Sequence, residues 1–476
     1  MLRKSLVALT CLLAVSSAAL AAGELKLPAI ISDHMVLQAD KAAPIWGWAA
    51  ADVKVTVSFA DQKLTAAADK DGKWSVEFKG LKAGTAGKLV VSAGEKSITV
   101  NDVLVGEVWL GSGQSNMWWR VSQAANARAE AAVAKYPQIR MFTVKQAGSP
   151  APAADCAGSW EVCTPQTVLG FSATAYYFGR DLHKALKQPV GLINSSVGGT
   201  PIESWLPAAP KADDAKADEP KATPAPRKAT PKAAKARKRS AGGGDLYNGM
   251  MAPLAPYGLR GFLWYQGESN AGNGKLYVSQ LATLIKSWRD AWSDETAFFL
   301  TVQLPNFQAP QKQPVESSGW AMVREAELKS LTLPNTGIAV TIDIGEAGNI
   351  HPKNKQDVGK RLALWALATV YDKKLTYCGP LYKSMAVEGD KIVLSFDHIG
   401  GGLAVQGGGK LKGFAVAGED KKFVWADATI TGDTVVLTGV KNPKAARYAW
   451  ANNPDCNLVN KDALPASPFR TDDWEQ

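Results

Sequence analysis

The sequence predicts an α/β domain with a mostly parallel sheet, flanked by an N-terminal β-sandwich and a C-terminal β region. Apolar and polar residues alternate near both ends of the chain, which is typical of half-buried strands. In the middle, apolar strand-like runs alternate with helix-like stretches, as in α/β folds. The 476 residues suffice for about three domains, which excludes a single small module. The 46% hydrophobic and 21% charged residues exclude a wholly disordered chain.

Residues 1–21 are predicted to be a secretory signal peptide. Arg3 and Lys4 precede an apolar run at 6–15, and small residues lead to a cleavage site after Ala21. The run is too short to span a membrane, and no later stretch reaches about 18 apolar residues. We therefore expect an exported protein, periplasmic or secreted, without a membrane span.

The N-terminal β-sandwich is expected at residues 23–103 and the C-terminal β region at 376–476. Both regions combine period-two alternation with glycine-containing turns, the pattern of antiparallel strands. The clearest alternating runs are 53–59, 74–78, 391–396 and 429–437.

The α/β domain is expected at residues 104–375. Apolar runs at 191–194 and 261–265 predict buried strands, while 277–288 and 356–368 carry apolar residues at helical spacing. This alternation favours a mostly parallel sheet covered by helices.

Residues 211–244 are predicted to be a disordered insertion in the α/β domain. Residues 211–240 contain no aromatic residue, Val, Ile or Leu, so they cannot bury enough apolar area to offset the entropy of ordering. They carry ten basic and four acidic side chains, which is most of the net charge of +10. A solvated spacer is favoured over an electrostatic tether to an acidic polymer or anionic lipid. Because so little positive charge is left elsewhere, we expect no nucleic-acid partner.

The cysteines fit a compartment that permits disulfides. Cleavage removes Cys11 and leaves an even number, for which the pairs Cys156–Cys163 and Cys378–Cys456 are favoured over other pairings or free thiols. No CxxC or clustered His and Cys spacing occurs, so no metal or other cofactor is expected. The oligomeric state does not follow from the sequence.

Ser115 and His351 are the candidate reactive residues. Ser115 lies in a glycine-rich turn after an apolar run, a setting that exposes a nucleophile or simply caps a helix. Met117 stands where an α/β-hydrolase elbow has glycine, so this is another kind of nucleophile turn. His351 lies in a loop before a predicted helix, the place of an accessible base or of an ordinary loop histidine.

Four ordered blocks of the sequence closely resemble the bacterial sialate O-acetylesterase family, whose members are carbohydrate esterases of the SGNH-hydrolase class. The resemblance covers nearly the whole mature chain outside 211–240. It implies an SGNH-hydrolase-like three-layer domain and a serine esterase that removes O-acetyl groups from a sugar or polysaccharide. The blocks are residues 32–38, 106–117, 264–271 and 350–356.

The resemblance implies roles for individual residues. Ser115 matches the nucleophile and His351 the general base. Gly199, or its neighbour Gly198, matches the glycine whose backbone N–H binds the oxyanion, together with the N–H of Ser115. Gln266 falls where many SGNH enzymes place an asparagine donor, so its amide is a further candidate for the oxyanion hole.

The third member of a catalytic triad is open. Many SGNH hydrolases carry Asp three residues before the histidine, but Gly348 holds that position here. The alternatives are a triad with Asp343, a triad with Glu346, and a Ser–His dyad without a carboxylate. Of the two acidic residues, Asp343 is favoured as the third member. Glu268 and Asn270 are expected to support the loop that holds Gln266.

Two other functions compete with a sialate esterase. One is deacetylation of xylan or another polysaccharide by the same chemistry, and the other is carbohydrate binding without catalysis. The carboxylate of a sialate would need a cationic partner, for which Arg120, Arg260 and Arg324 are candidates that the sequence does not place.

Overall fold

The computed structural model describes residues 23–207, 244–315 and 317–474. The predicted signal peptide at 1–21 and the predicted insertion at 211–244, except Gly244, lie outside the described residues. The expected mixed α/β architecture is confirmed, with a mostly parallel central sheet and antiparallel sheets in the C-terminal region. None of the described helices is long and apolar enough to span a membrane.

Short, mostly antiparallel strands form the N-terminal region, as the alternating pattern predicts. The strands are β1 (Val36–Gln38), β2 (Ala43–Trp48), β3 (Lys54–Phe59), β4 (Gln62–Ala67), β5 (Lys73–Phe78), β6 (Ala86–Ala93) and β7 (Lys96–Gly113). β2 pairs with β5, while β4, β3, β6 and β7 follow one another in a second set to which β1 adds in parallel. In β5, every second side chain is buried, because successive side chains of a strand point to opposite faces.

The central sheet carries the loops of the candidate site. Its further strands are β8 (Tyr136–Thr143), β9 (Trp160–Cys163), β10 (Val190–Ser196), β11 (Gly261–Tyr265), β12 (Phe298–Val302) and β13 (Thr336–Ala339). The order is β13-β12-β11-β7-β10-β8-β9, and every neighbouring pair is parallel except β8 and β9. β10 and β11 contain the predicted runs and are buried along their whole length, as in parallel sheets covered on both faces.

Helices cover both faces of the central sheet. They are α1 (Ser115–Trp118), α2 (Ala127–Val133), α3 (Ala173–Leu186), α4 (Gly274–Trp292), α5 (Gly319–Lys329) and α6 (Lys355–Thr369). α3 packs on α6 and α4 packs on α5, and the apolar side chains of the two pairs belong to separate cores. The helices predicted at 277–288 and 356–368 correspond to α4 and α6.

β7 joins the N-terminal region to the central sheet. It is 18 residues long, pairs first with β6 and then with β10 and β11, and passes without a break through residue 103, the expected domain boundary. One hydrophobic core therefore includes side chains of the N-terminal strands and of α4.

The C-terminal region consists of short antiparallel strands with a core of their own. The strands are β14 (Leu381–Glu388), β15 (Lys391–Asp397), β16 (Leu403–Val405), β17 (Phe414–Ala417), β18 (Phe423–Trp425), β19 (Asp427–Thr431), β20 (Thr434–Thr438), β21 (Ala445–Tyr448), β22 (Leu458–Asn460) and β23 (Phe469–Arg470). They form the sets β14-β15-β20-β19, β16-β22 and β18-β17-β21-β23.

The structure corrects the expected disulfides, since Cys156, Cys163, Cys378 and Cys456 are free thiols. Cys156 packs against the core shared with the N-terminal region, whereas Cys163 lies in the core on the other face of the sheet. Nearness in sequence therefore does not bring this pair together. Burial raises the pKa of all four thiols to about 12, which keeps them protonated and unreactive at neutral pH.

Candidate active site

The candidate site lies at the carboxyl ends of the central strands. Ser115 follows β7, the glycines 198 and 199 follow β10, Gln266 follows β11, and His351 lies in the loop between β13 and α6. Ligands of open α/β sheets bind at this edge, outside the carboxyl ends of parallel strands. The topology therefore gathers residues that are far apart in sequence.

Ser115 and His351 are in hydrogen-bond contact. The Ser115 Oγ atom lies 2.8 Å from His351 Nε2, so the hydroxyl can donate to a neutral imidazole. Burial lowers the pKa of His351, and the positive charge of Lys355 lowers it further. The ring is therefore neutral and able to accept a proton at neutral pH.

Trp119 positions the imidazole ring of His351, and Asn349 positions the backbone of the same residue. The indole of Trp119 stacks on the His351 ring, with 4.8 Å between centroids and an interplanar angle of 16°. Asn349 Oδ1 accepts from the His351 N–H at 3.0 Å, while Asn349 Nδ2 donates to the His351 carbonyl at 2.8 Å. Sequence reasoning missed both residues, although Trp119 directly follows the block around Ser115 and Asn349 lies two residues before His351.

The structure does not place Asp343 beside His351, which corrects its assignment as the third triad member. Both Asp343 oxygens accept from the guanidinium of Arg361, at 2.6 and 2.7 Å. Glu346 instead accepts from Asn349 Nδ2 and the Lys353 N–H, so it braces the histidine loop. Among the described residues, no carboxylate forms an ion pair or hydrogen bond with the imidazole. The described geometry is that of a dyad.

The substitution Asp343→Asn separates a dyad from a triad. We expect the variant to keep most of its kcat, whereas loss of a triad carboxylate lowers kcat by about 10⁴-fold. It should lose about 1–3 kcal/mol of stability, because Arg361 stays buried without its anionic partner. Acetate release and urea unfolding measure the two effects. A collapse of kcat at unchanged stability would restore Asp343 to the catalytic group.

The loop after β10 approaches Ser115 at a glycine. A Cβ atom on Gly198 would lie 3.5 Å from Ser115 Cβ, so Gly198 packs directly against the serine, while Gly199 adopts the left-handed φ of +71°. The N–H groups of Ser115, Gly198 and Gly199 donate to no acceptor among the described residues. Donors held in this way can bind a developing oxyanion.

The side-chain amide of Gln266 binds other residues of the protein, which corrects its expected role as a donor in the oxyanion hole. The residue is fully buried. Three acceptors lie within hydrogen-bond distance of its Nε2 atom: Gln114 Oε1 at 3.1 Å, Thr200 O at 3.2 Å and Asn270 Oδ1 at 2.7 Å. An amide nitrogen carries only two hydrogens, so this one is saturated. Gln266 supports the loops around the site instead of reaching into it.

Glu268 and Asn270 connect the loop after β11 to neighbouring loops. Asn270 Oδ1 accepts from the Ile202 N–H, which ties the loop after β11 to the loop after β10. Glu268 is buried, accepts from Asn116 Nδ2 at 2.5 Å, and has its pKa raised by burial. Asn116 directly follows Ser115, so Glu268 contacts the turn that carries the serine.

The three candidate arginines lie in different environments. Arg260 forms an ion pair with Glu107 at 2.8 Å, and Arg324 is fully buried against backbone carbonyls. Arg120 is exposed, and its guanidinium lies 5.5 Å from the centre of the Trp118 ring. Arg120 follows the end of α1 by two residues, and Ser115 begins this short helix. Of the three arginines, Arg120 is therefore the nearest to Ser115 in the sequence.

A serine hydroxyl bonded to an imidazole at the carboxyl edge of a parallel sheet, next to free backbone donors, is the arrangement of hydrolases and acyltransferases. Comparison with known proteins narrows this class. A family model described as carbohydrate esterase, sialic acid-specific acetylesterase matches residues 105–368. The chain belongs to this family and is a carboxylic ester hydrolase.

Relatives and a solved structure agree with the family. A sialate O-acetylesterase of Rattus norvegicus is 30% identical over 92% of this chain and 93% of its own. The corresponding protein of Homo sapiens is 30% identical over 92% and 91%. The crystal structure of a carbohydrate acetylesterase from Xanthomonas citri superposes with a TM-score of 0.86 and 40% identity, covering 95% of this chain and 100% of that chain.

Proposed function

We propose that this protein is a serine esterase of the SGNH-hydrolase class that removes O-acetyl groups from glycans through an acetyl-enzyme. The observation that carries the proposal is the contact of 2.8 Å between Ser115 Oγ and His351 Nε2. Membership in a family of carbohydrate acetylesterases supports the acetyl group and the sugar as substrate. Ser115 begins α1 and His351 lies in the loop before α6, so this contact joins residues that are 236 positions apart in the sequence.

The proposed reaction has two steps. Ser115 Oγ attacks the carbonyl carbon of the acetyl group and gives its proton to His351 Nε2, while the backbone N–H groups of Ser115 and Gly198 or Gly199 bind the oxyanion. His351 then protonates the sugar oxygen, and the free hydroxyl leaves. In the second step a water gives a proton to His351 while its oxygen attacks the acetyl carbon. The bond between that carbon and Ser115 Oγ then breaks, His351 returns the proton to Oγ, and acetate leaves.

A panel of substrates tests the proposal. Acetate release is measured from an acetylated chromogenic ester, acetylated sialic acid and acetylated xylan. We expect activity on the chromogenic ester and a preference for one of the two natural substrates. Absence of acetate release from all three would overturn the proposal.

Arg120 is a candidate for recognition of an anionic sugar. A guanidinium–carboxylate contact contributes enough that its loss raises KM about tenfold. We therefore expect Arg120→Ala to raise KM for acetylated sialic acid and to leave the chromogenic ester unaffected. Arg128→Ala, which removes an exposed arginine from α2, is the matched control. An unchanged KM for acetylated sialic acid in Arg120→Ala would overturn this role of Arg120.

We also propose that the protein is exported. The proposal rests on the basic, apolar and small-residue order of residues 1–21. Sequencing the N-terminus of the mature protein from a culture fraction tests it, since export predicts a start at Ala22.

A further inference from the structure

Lys355 is a fully buried lysine beside the reacting pair. It is the first residue of α6, where the helix dipole presents its positive end, so a lysine is electrostatically unfavourable there. Burial lowers the pKa of Lys355 to about 7, although Glu268 and Glu346 oppose the change. Such a residue costs stability that an apolar side chain of similar volume would not.

The ammonium of Lys355 has specific partners. Nζ donates to Asn116 Oδ1 at 2.6 Å and to the Pro352 carbonyl at 2.8 Å. It also lies 5.3 Å from the centre of the Tyr265 ring, at the end of β11. Pro352 directly follows His351, and Asn116 directly follows Ser115.

Asn116 completes the connection. Its Nδ2 atom donates to Glu268 Oε1 at 2.5 Å and to the Ile350 carbonyl at 3.0 Å. The side chain is fully buried and uses both its donor and its acceptor on these contacts. Ile350 and Pro352 directly precede and follow His351, so the network binds the backbone of the histidine loop on both sides of that residue.

We propose that Lys355, Asn116 and Glu268 form a buried clamp that sets the distance between Ser115 and His351. The proposal rests on the serine esterase proposed above. None of the three contacts the reacting atoms, so they are positioning residues. Asn116, the residue after Ser115, is itself part of the clamp. The clamp also binds the carbonyls of Ile350 and Pro352, on either side of His351. These hydrogen bonds fix the serine turn and the histidine loop relative to each other.

The substitution Lys355→Met tests the clamp. Methionine fills a similar volume without donating, so the histidine loop loses its tie to Asn116. Misplacement of a reacting group by about 1 Å costs about 10²-fold in rate, so we expect kcat to fall by about that factor with little change in KM. Lys360→Met, the same change at an exposed position of α6, is the matched control and should leave kcat unchanged.

Two further readouts distinguish positioning from a general loss of structure. The rate at which a fluorophosphonate labels Ser115 should fall with kcat, while the circular dichroism spectrum stays that of the wild type. The melting temperature should fall only modestly, because the Asn116 and Pro352 oxygens lose their donor but the rest of the core is unchanged. The acidic limb of the pH profile of kcat/KM should move to higher pH, because the Lys355 charge that lowers the pKa of His351 is gone. The other charged groups facing Lys355, Glu268 and Glu346, remain in the variant.

A second variant keeps the test decisive if Lys355→Met does not fold. Asn116→Ala removes the acceptor of Lys355 Nζ and the donor to the Ile350 carbonyl, so the clamp predicts a fall in kcat of about 10²-fold. A folded Asn116→Ala with wild-type kcat would overturn the clamp. The double variant Asn116→Ala with Lys355→Met should lose no more than the worse single variant, since both belong to one network.

The outcomes separate the clamp from the proposed function. If Ser115→Ala keeps its activity, the serine mechanism is wrong whatever Lys355→Met does. If Ser115→Ala is inactive while folded Lys355→Met matches the wild type in kcat and labelling rate, only the clamp is wrong.

Discussion

Replacement of Ser115 by alanine is expected to lower the rate of acetate release by about 10⁴-fold or more, with the fold unchanged. In hydrolases that use a serine and a histidine as one unit, removal of either group abolishes most of the chemistry beyond that of the oxyanion hole and binding. Ser115 is partly accessible and its Oγ is the atom bonded to His351. Acetate release under saturating substrate measures the loss.

A matched pair of variants identifies the source of this loss. His351→Gln should lose as much kcat as Ser115→Ala, and the double variant should lose little more, because the two residues act together. Ser112→Ala, which changes a buried serine of β7 outside the hydrogen-bonded pair, is the control and should retain kcat. Equal activity of Ser115→Ala and the wild type would exclude the serine as nucleophile.

The strands and helices of the catalytic region were predictable because burial imposes a simple pattern on them. β11 was predicted at its observed bounds, since a strand covered on both faces is apolar at each position. The hydrophobic spacing of α6 likewise placed that helix, which packs on α3. The domain boundary at residue 103 was harder to predict. β7 continues from the N-terminal strands into the central sheet, so no turn residues mark the boundary in the sequence.

Ser115 and His351 were predictable as candidates, but their supporting contacts were not. Asp343 precedes the histidine at a plausible spacing, yet its partner Arg361 lies on α6 and captures both carboxylate oxygens. The spacing of residues in the sequence does not show which cationic side chain forms an ion pair with Asp343. Gln266 lies at the expected place after β11, but the direction of its amide depends on Gln114 and Asn270, which only the folded chain brings together.

The prediction of a Cys156–Cys163 disulfide is wrong for a related reason. Pairing by nearness in sequence assumes that neighbours in one region share one core. Cys156 and Cys163 contact cores on opposite faces of the sheet, because β9 and the loop before it lie at the sheet edge between them.

Arg324 shows how the C-terminal region is joined to the loops of the catalytic sheet. Its guanidinium donates to the carbonyls of Leu304 and Pro305 after β12, at 2.8 and 2.7 Å. It also donates to the carbonyls of Ala451 and Asn452 after β21, at 2.7 and 2.9 Å. The planar fork of an arginine suits four acceptors in different directions, which a lysine cannot meet.

Arg324→Met is expected to destabilise the protein by about 3–5 kcal/mol, because four buried carbonyls lose their donor at once. Arg324→Lys should recover only part of this, since a single ammonium cannot reach all four. Lys329→Met, at a half-exposed position of α5, is the control and should change stability by less than about 0.5 kcal/mol. The free energy of unfolding in urea measures each effect. Unfolding of Arg324→Met at the wild-type midpoint would mean that the two regions are held together by their apolar contacts and that the guanidinium contributes little.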